Sequence, residues 1–176
     1  MSFRAIRPSS TEFAPYYAPY VGQVPDGDIL ETLVREGLET AKRLGSLDPE
    51  QECYRYAEGK WSVRQVVGHL ADAERVFAYR ILRFSRGDET PLASFDENLY
   101  AETAPHDRVP LGDLLAELGW LRRSTVSLLA PLDEEMWNRG GEASKQKVSV
   151  RALAWITAGH ELHHRKVLAE RYGLGR

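Results

Sequence analysis

Residues 61–87 read WSVRQVVGHLADAERVFAYRILRFSRG, and the spacing of their apolar side chains sets the kind of protein this is. Val63, Val66, Leu70, Ala73, Phe77, Ile81 and Phe84 recur at intervals that place them on one face of a helix. Both ends are marked: Ser62 and Gln65 form the S-x-x-Q pattern of a capping box, and Gly87 follows the final turn.

Three further segments carry the same period. The first runs from Asp26 to about Leu44, with Ile29, Leu30, Leu33, Leu38, Ala41 and Leu44 on its apolar side and Gly45 as its stop. Another begins near Pro110 and ends before Pro131, using Leu111, Leu114, Leu115, Leu118, Leu121, Val126 and Leu129. The last runs from Ser149, suited to an N-cap, to Tyr172, with Gly173 behind it. Four amphipathic helices bury their stripes only against one another, so the expected architecture is an all-α four-helix bundle. Strand alternation is weak throughout.

The remaining stretches are connectors. Residues 1–25 contain Pro8, Pro15, Pro19 and Pro25 with Tyr16, Tyr17 and Tyr20, which predicts an extended arm without regular helix, packing on a body formed by residues 26–176. The connection between the second and third helices, residues 88–109, is long, with a short helical candidate from Asp96 to Ala101. That length argues against assuming simple up-down-up-down order. Residues 138–148, NRGGEASKQKV, read as a polar loop.

The chain has 176 residues, 43% hydrophobic and 28% charged, which suits one globular domain. The net charge of −3, with bases scattered among acids, argues against a nucleic-acid partner. No apolar run approaches the roughly 20 residues that span a bilayer, and no signal-peptide pattern opens the chain, so the expectation is a cytoplasmic protein without a membrane partner. Cys53, the single cysteine, has no neighbouring histidine or second cysteine and reads as an incidental thiol.

Five histidines are present, three of them in GHELHH, residues 159–164. At about 100° per residue, His160 and His164 are separated by about 40° and share an arc with Leu153, Ile156 and Val167, so both point inward on successive turns. His163 lies about 60° to the other side of His160, towards the rim. His69, at the edge of the apolar arc of its own helix, is by itself an ordinary buried histidine. Beside the other pair it becomes a third ligand, because one divalent ion satisfies all three nitrogens. A set of three histidines without cysteine favours zinc or nickel over calcium or magnesium and leaves one coordination position open. Asp72, one turn beyond His69, is a candidate to orient a ligand or act as a base. Glu161 is the other nearby carboxylate, and a solvated role suits it as well. His106 is expected to face water.

The segment WSVRQVVGHLADAERVFAYRILRFSRGDETP, followed by HELHHRKVLAERYG, resembles the DinB/YfiT-like superfamily of metal-binding four-helix bundles, over about residues 26–174. The resemblance places the family's metal ligands on His69, His160 and His164, and implies nickel or zinc and a frequent homodimer. Some relatives are thiol-dependent S-transferases, a related branch contains mycothiol-dependent isomerases, and others are regarded as metal-dependent hydrolases.

The expected function is therefore that of a metal-dependent enzyme acting on a small electrophile through a metal-activated low-molecular-weight thiol. A hydrolase using metal-generated hydroxide is the alternative, and a non-catalytic metal-binding or stress-response protein the third reading. Arg75, Arg80, Arg83 and Lys166 read as exposed helix charges that could supply a basic rim for a cofactor's carboxylates. Trp61, Trp120, Trp137 and Trp155 are assigned to packing. Trp155 and Leu162, opposite the histidines, form an apolar spot suited to a dimer interface or to cover by the arm.

Overall fold

A computed structural model describes residues 2–174. Its elements are α1 (Ala18–Gln23), α2 (Ile29–Leu44), α3 (Pro49–Cys53), α4 (Val63–Ser85), α5 (Glu97–Thr103), α6 (Leu111–Leu129), α7 (Glu134–Asn138), the strands β1 (Gly140–Ala143) and β2 (Gln146–Ser149), and α8 (Val150–Arg171). The long helices α2, α4, α6 and α8 form the four-helix bundle.

Local chemistry sets the ends of α4. Ser62 Oγ accepts from the Gln65 backbone N–H and Gln65 Oε1 accepts from the Ser62 N–H, each at 3.0 Å, which completes the capping box. At the other end Gly87 has φ +77°, and the Asp88 and Gly87 amides donate to the carbonyls of Arg83 and Phe84, a Schellman closure that favours glycine at this position. Ser149 caps α8 by accepting from the Ala152 N–H at 2.9 Å.

The order of helices around the bundle is not the order along the chain. α4 packs on α6 and α8, and α2 packs on the same two, so α2 and α4 face each other across one diagonal and α6 and α8 across the other. The two connections that cross a diagonal carry structure of their own, α3 in one and α7 with the hairpin in the other. The core contains Phe84, Ile81, Leu33, Leu129, Trp137, Leu153, Trp155 and Ile156, each no more than 1% exposed. Fully burying side chains of the aliphatic and Phe type contributes about 1.5–3 kcal/mol each.

Inside this core sits one charged knot. Arg122 of α6 donates from Nε and Nη2 to the two carboxylate oxygens of Glu74 on α4, both at 2.8 Å. Its Nη1 donates to Glu161 Oε2 on α8 at 2.7 Å and to the Leu33 carbonyl on α2 at 2.6 Å. One side chain thereby touches all four bundle helices, and the fully buried carboxylates hold its guanidinium more firmly protonated than usual.

Two expectations about the connectors need correction. The arm is not without helix: Pro15 and Pro19 fall in first turns, where the missing N–H costs nothing, so they start a 3-10 turn and α1 instead of preventing them. Residues 138–148 are not a loop but contain a hairpin, with Gly140 opposite Ser149 and Ala143 opposite Gln146. Its two-residue tip, Ser144 and Lys145, has φ +55° and +63°, the left-handed pair that matches strand twist but is usually filled by Asn or Gly. Leu92 adds a rung, donating to the Glu142 carbonyl at 2.9 Å and accepting from Ser144 N–H at 3.0 Å.

Arg7 closes the arm on itself and sets it on α8: its guanidinium donates to the carbonyls of Val21 and Val24, also in the arm, at 2.6 and 2.8 Å and stands 4.6 Å from the centre of the Trp155 ring. Trp155 is consequently 1% exposed, covered by the chain's own arm. No helix among the described residues is long and apolar enough to cross a membrane.

Candidate metal centre

His69 projects from α4, and His160 and His164 from successive turns of α8. The ring centroids are 4.9 Å apart for His69 and His160, 4.8 Å for His69 and His164, and 4.6 Å for His160 and His164. One nitrogen from each lies within 4.8 Å of the others. The Nε2 atoms of His69 and His160 are 3.0 Å apart. A tetrahedral ion with Zn–N bonds of 2.0–2.1 Å sets ligand nitrogens about 3.3 Å apart, so the cluster fits such an ion with small adjustments.

Electrostatics prepares the same site. Burial pulls His69 down to about 4, helped by nearby His106, and His164 down to about 3, helped by His69 and His163. Burial likewise holds His160 well below its ordinary value, with His164, His69 and His163 adding to the effect. All three rings are neutral at physiological pH and offer lone pairs to a cation without first releasing a proton. The group contains no carboxylate, so its donor set is nitrogen alone.

The centre is the floor of a cavity of about 530 Å³. Trp61, just ahead of the capping serine, has its ring 4.8 Å from that of His69 and stacked at 6.4 Å from His164. The Tyr172 hydroxyl fixes this segment by donating to the Trp61 carbonyl at 2.8 Å. On the other side Tyr20 of α1 sets its ring edge-on to His160 and His163, at 5.5 and 5.2 Å. The carbonyl oxygen of Tyr20 approaches so closely that a Cβ at Gly159 would meet it at 2.1 Å, so the residue preceding His160 must be glycine for the arm to dock there. Tyr16, Tyr17, Phe77 and Phe95 complete the aromatic walls, and Arg80, Glu97, Ser144 and Gln146 are among the polar residues that line it.

The other candidates fall elsewhere. Asp72 does not line the cavity; its oxygens are 3.5 Å from Arg75 and 3.7 Å from His106 Nε2. Three positions after His69, its side chain is rotated about 60° away from it around α4. Glu161 is 1% exposed and engaged with Arg122, so the solvated role does not hold. His106 is 9% exposed and packs on Gly68, where a Cβ would strike its ring, so the expectation that it faces water fails. His163 lines the cavity beside the three-histidine group. Cys53 is exposed.

Trp137 and Trp155 are packing residues, but Trp61 lines the cavity and Trp120 is 63% exposed. Arg80, expected as a surface charge, is 3% exposed. A signal for it existed: Ala73, Phe77 and Arg80 lie about 40°, 80° and 20° around the helix from His69, which is one face. The part played by Tyr20 had no comparable signal, since nothing local ties the arm to α8.

Comparison with known proteins agrees with this arrangement. The family model described as the DinB superfamily matches residues 32–168. An Oceanobacillus iheyensis protein named "Putative metal-dependent hydrolase" is 32% identical over 156 residues, covering 81% of this chain and 86% of its own. A Bacillus subtilis protein, "Putative metal-dependent hydrolase YfiT", is 30% identical over 112 residues, 62% of each chain. The solved structure of YfiT, described as having an unusual four-helix bundle topology, superposes with a TM-score of 0.74 at 22% identity, covering 96% of this chain and 94% of that one.

Proposed function

Since the chain belongs to the DinB superfamily, we propose that it is a metal-dependent hydrolase of a small molecule, with one divalent transition-metal ion held by His69, His160 and His164. The observation that carries this reading is the convergence of three neutral imidazoles, without a counter-acid, at the floor of a cavity. An all-nitrogen donor set suits zinc or nickel. When bound, such an ion supplies Lewis acidity, which lowers the pKa of a water or thiol reaching its remaining coordination position.

The chain's own groups supply the rest. The aromatic side chains exclude bulk water and hold the apolar part of a substrate. His163, which lines the cavity without belonging to the donor set, would be the group placed to accept a proton there. Glu161 is committed to Arg122 and Asp72 lies outside the cavity, so neither serves as that base.

Thiol transfer would use the same floor with a different nucleophile. Cys53 does not line the cavity, so that reaction would require an external low-molecular-weight thiol. The names of the relatives favour hydrolysis. A non-catalytic site would be closed, and the cavity beside these donors favours an open one.

The test is elemental analysis of protein purified without a metal column, followed by assay on a panel of esters and amides without added thiol. One ion per chain, lost in His69→Ala, His160→Ala and His164→Ala, together with thiol-free turnover, is the expected result. Stoichiometric metal in each variant, or turnover only with added thiol, overturns it.

A further inference from the structure

Among the described residues two arginines of the bundle helices are buried, and they are treated differently. Arg122, 4% exposed, meets two carboxylates. Arg80, 3% exposed, meets none among the described residues. Its Nη2 donates to the Ala93 carbonyl at 3.2 Å and to Ser144 Oγ at 2.9 Å, both neutral acceptors. Nε and Nη1 make no hydrogen bond among the described residues, and Arg80 lines the cavity. Burying a cation without a counter-charge costs several kcal/mol. Glu97, the acid on the cavity wall, is exposed and forms no ion pair with it.

The surroundings hold this guanidinium in place. Ser144 occupies the left-handed tip of the hairpin, a conformation that costs a non-glycine residue about 1 kcal/mol or more, and from there its hydroxyl accepts from Arg80. The Leu92 rung fixes the neighbouring Ala93 carbonyl. Along α4, Arg80 follows His69 by 11 residues, a rise of about 16 Å, and a helical side chain leans back towards the N-terminus, here towards the histidines. Between them on the same face are Ala73 and Phe77.

We propose that Arg80 is an oxyanion subsite of the histidine-floored cavity, and that the natural ligand is a small amphipathic anion, a carboxylate or a phosphate ester, whose apolar body lies among Phe77, Phe95 and the arm tyrosines. The proposal builds on the hydrolase reading, because it names the substrate class of that same cavity. The oxyanion supplies the counter-charge that the protein withholds from Arg80 and fixes the ligand's orientation relative to the histidines.

The experiment uses the full chain freed of metal with EDTA, so that no ion competes for the anion. Binding of 3-phenylpropionate, phenyl phosphate and the neutral 3-phenylpropanamide is measured by calorimetry, and the Arg80 side-chain Nε–H signal is followed by NMR, assigned by its absence in Arg80→Lys. At least one anion should bind ten-fold or more tightly than the amide and shift the Arg80 signal, which the amide leaves in place. The anion that does so identifies the source. Arg80→Gln should lose the preference, and Arg80→Lys should keep part of it. Equal or undetectable binding of all three probes, a preference that survives in folded Arg80→Gln, or a stationary Arg80 signal overturns the proposal. If Arg80→Gln does not fold, the wild-type NMR signal decides. Failure of the hydrolase reading shows separately, in the metal content and the thiol-free assay.

Discussion

Glu161 Oε2 accepts from Arg122 Nη1 at 2.7 Å, although Glu161 directly follows His160 in the chain. Adjacent residues on α8 therefore serve two systems: the histidine faces the cavity and the carboxylate completes the charged knot of the core. Arg122→Met should destabilise the fold by about 3–5 kcal/mol, because it leaves Glu74 and Glu161 buried without a cation. Urea denaturation measures this, and a loss below about 1 kcal/mol would show that the knot matters little. Glu161→Gln should leave metal stoichiometry unchanged.

Acid should weaken the metal-free protein in a definite window. His69 and His164 are pulled to about 4 and about 3 from an ordinary value of 6.5. The unfolded chain thus takes up protons that the fold refuses. Their contribution is complete above pH 6.5, falls as the pH drops and levels off below about 3. At pH 5 the loss is about 2 kcal/mol or less for each ring. Denaturant midpoints of EDTA-treated protein at pH 7 and pH 5 check it, and no difference would contradict the burial argument.

Gly159→Ala should undock the arm. Alanine favours a helix interior by about 1 kcal/mol, but its Cβ would stand 2.1 Å from the Tyr20 carbonyl oxygen, a backbone atom with little freedom to retreat. A net loss of about 1–3 kcal/mol is expected, with faster amide exchange in residues 15–24. Unchanged exchange there would mean that the close approach is not required.

Trp61 should report on occupancy of the centre. Its ring is 4.8 Å from His69, so nickel added to metal-free protein should quench part of the tryptophan emission, saturating at one equivalent. Trp61→Phe should remove most of that change. Equal quenching in the variant would assign the response to other tryptophans.

Much of the fold was legible because its signals are local. The capping box of Ser62 and Gln65, the serine cap at Ser149 and the glycine stop at Gly87 depend on residues within a few positions of one another, and helical spacing assigns most of each inward face, although Leu38 and Ala41, placed on the apolar side of the first helix, are exposed. The pairing of His160 with His164 is of the same kind. Expectation and structure part where local rules allow more than one outcome: at Pro15 and Pro19, since a proline can stop a helix or begin one, and at the Ser144–Lys145 turn, which lacks the usual hairpin residues.

Periodicity and capping are properties of short stretches, so four amphipathic helices, their ends, and a pair of histidines on one inward face follow from the chain's local pattern alone. Tertiary structure decided the rest. It placed α2 opposite α4 across a diagonal, brought His69 to within 3.0 Å of His160 across 91 positions of chain, and turned Glu161 to Arg122 and away from the cavity. It also laid Tyr20 on Gly159 and left Arg80 buried without an acid. These contacts join distant segments and are set by which surfaces pack together once the helices exist; spacing along the chain puts a residue such as Arg80 on an inward face but does not choose its partners.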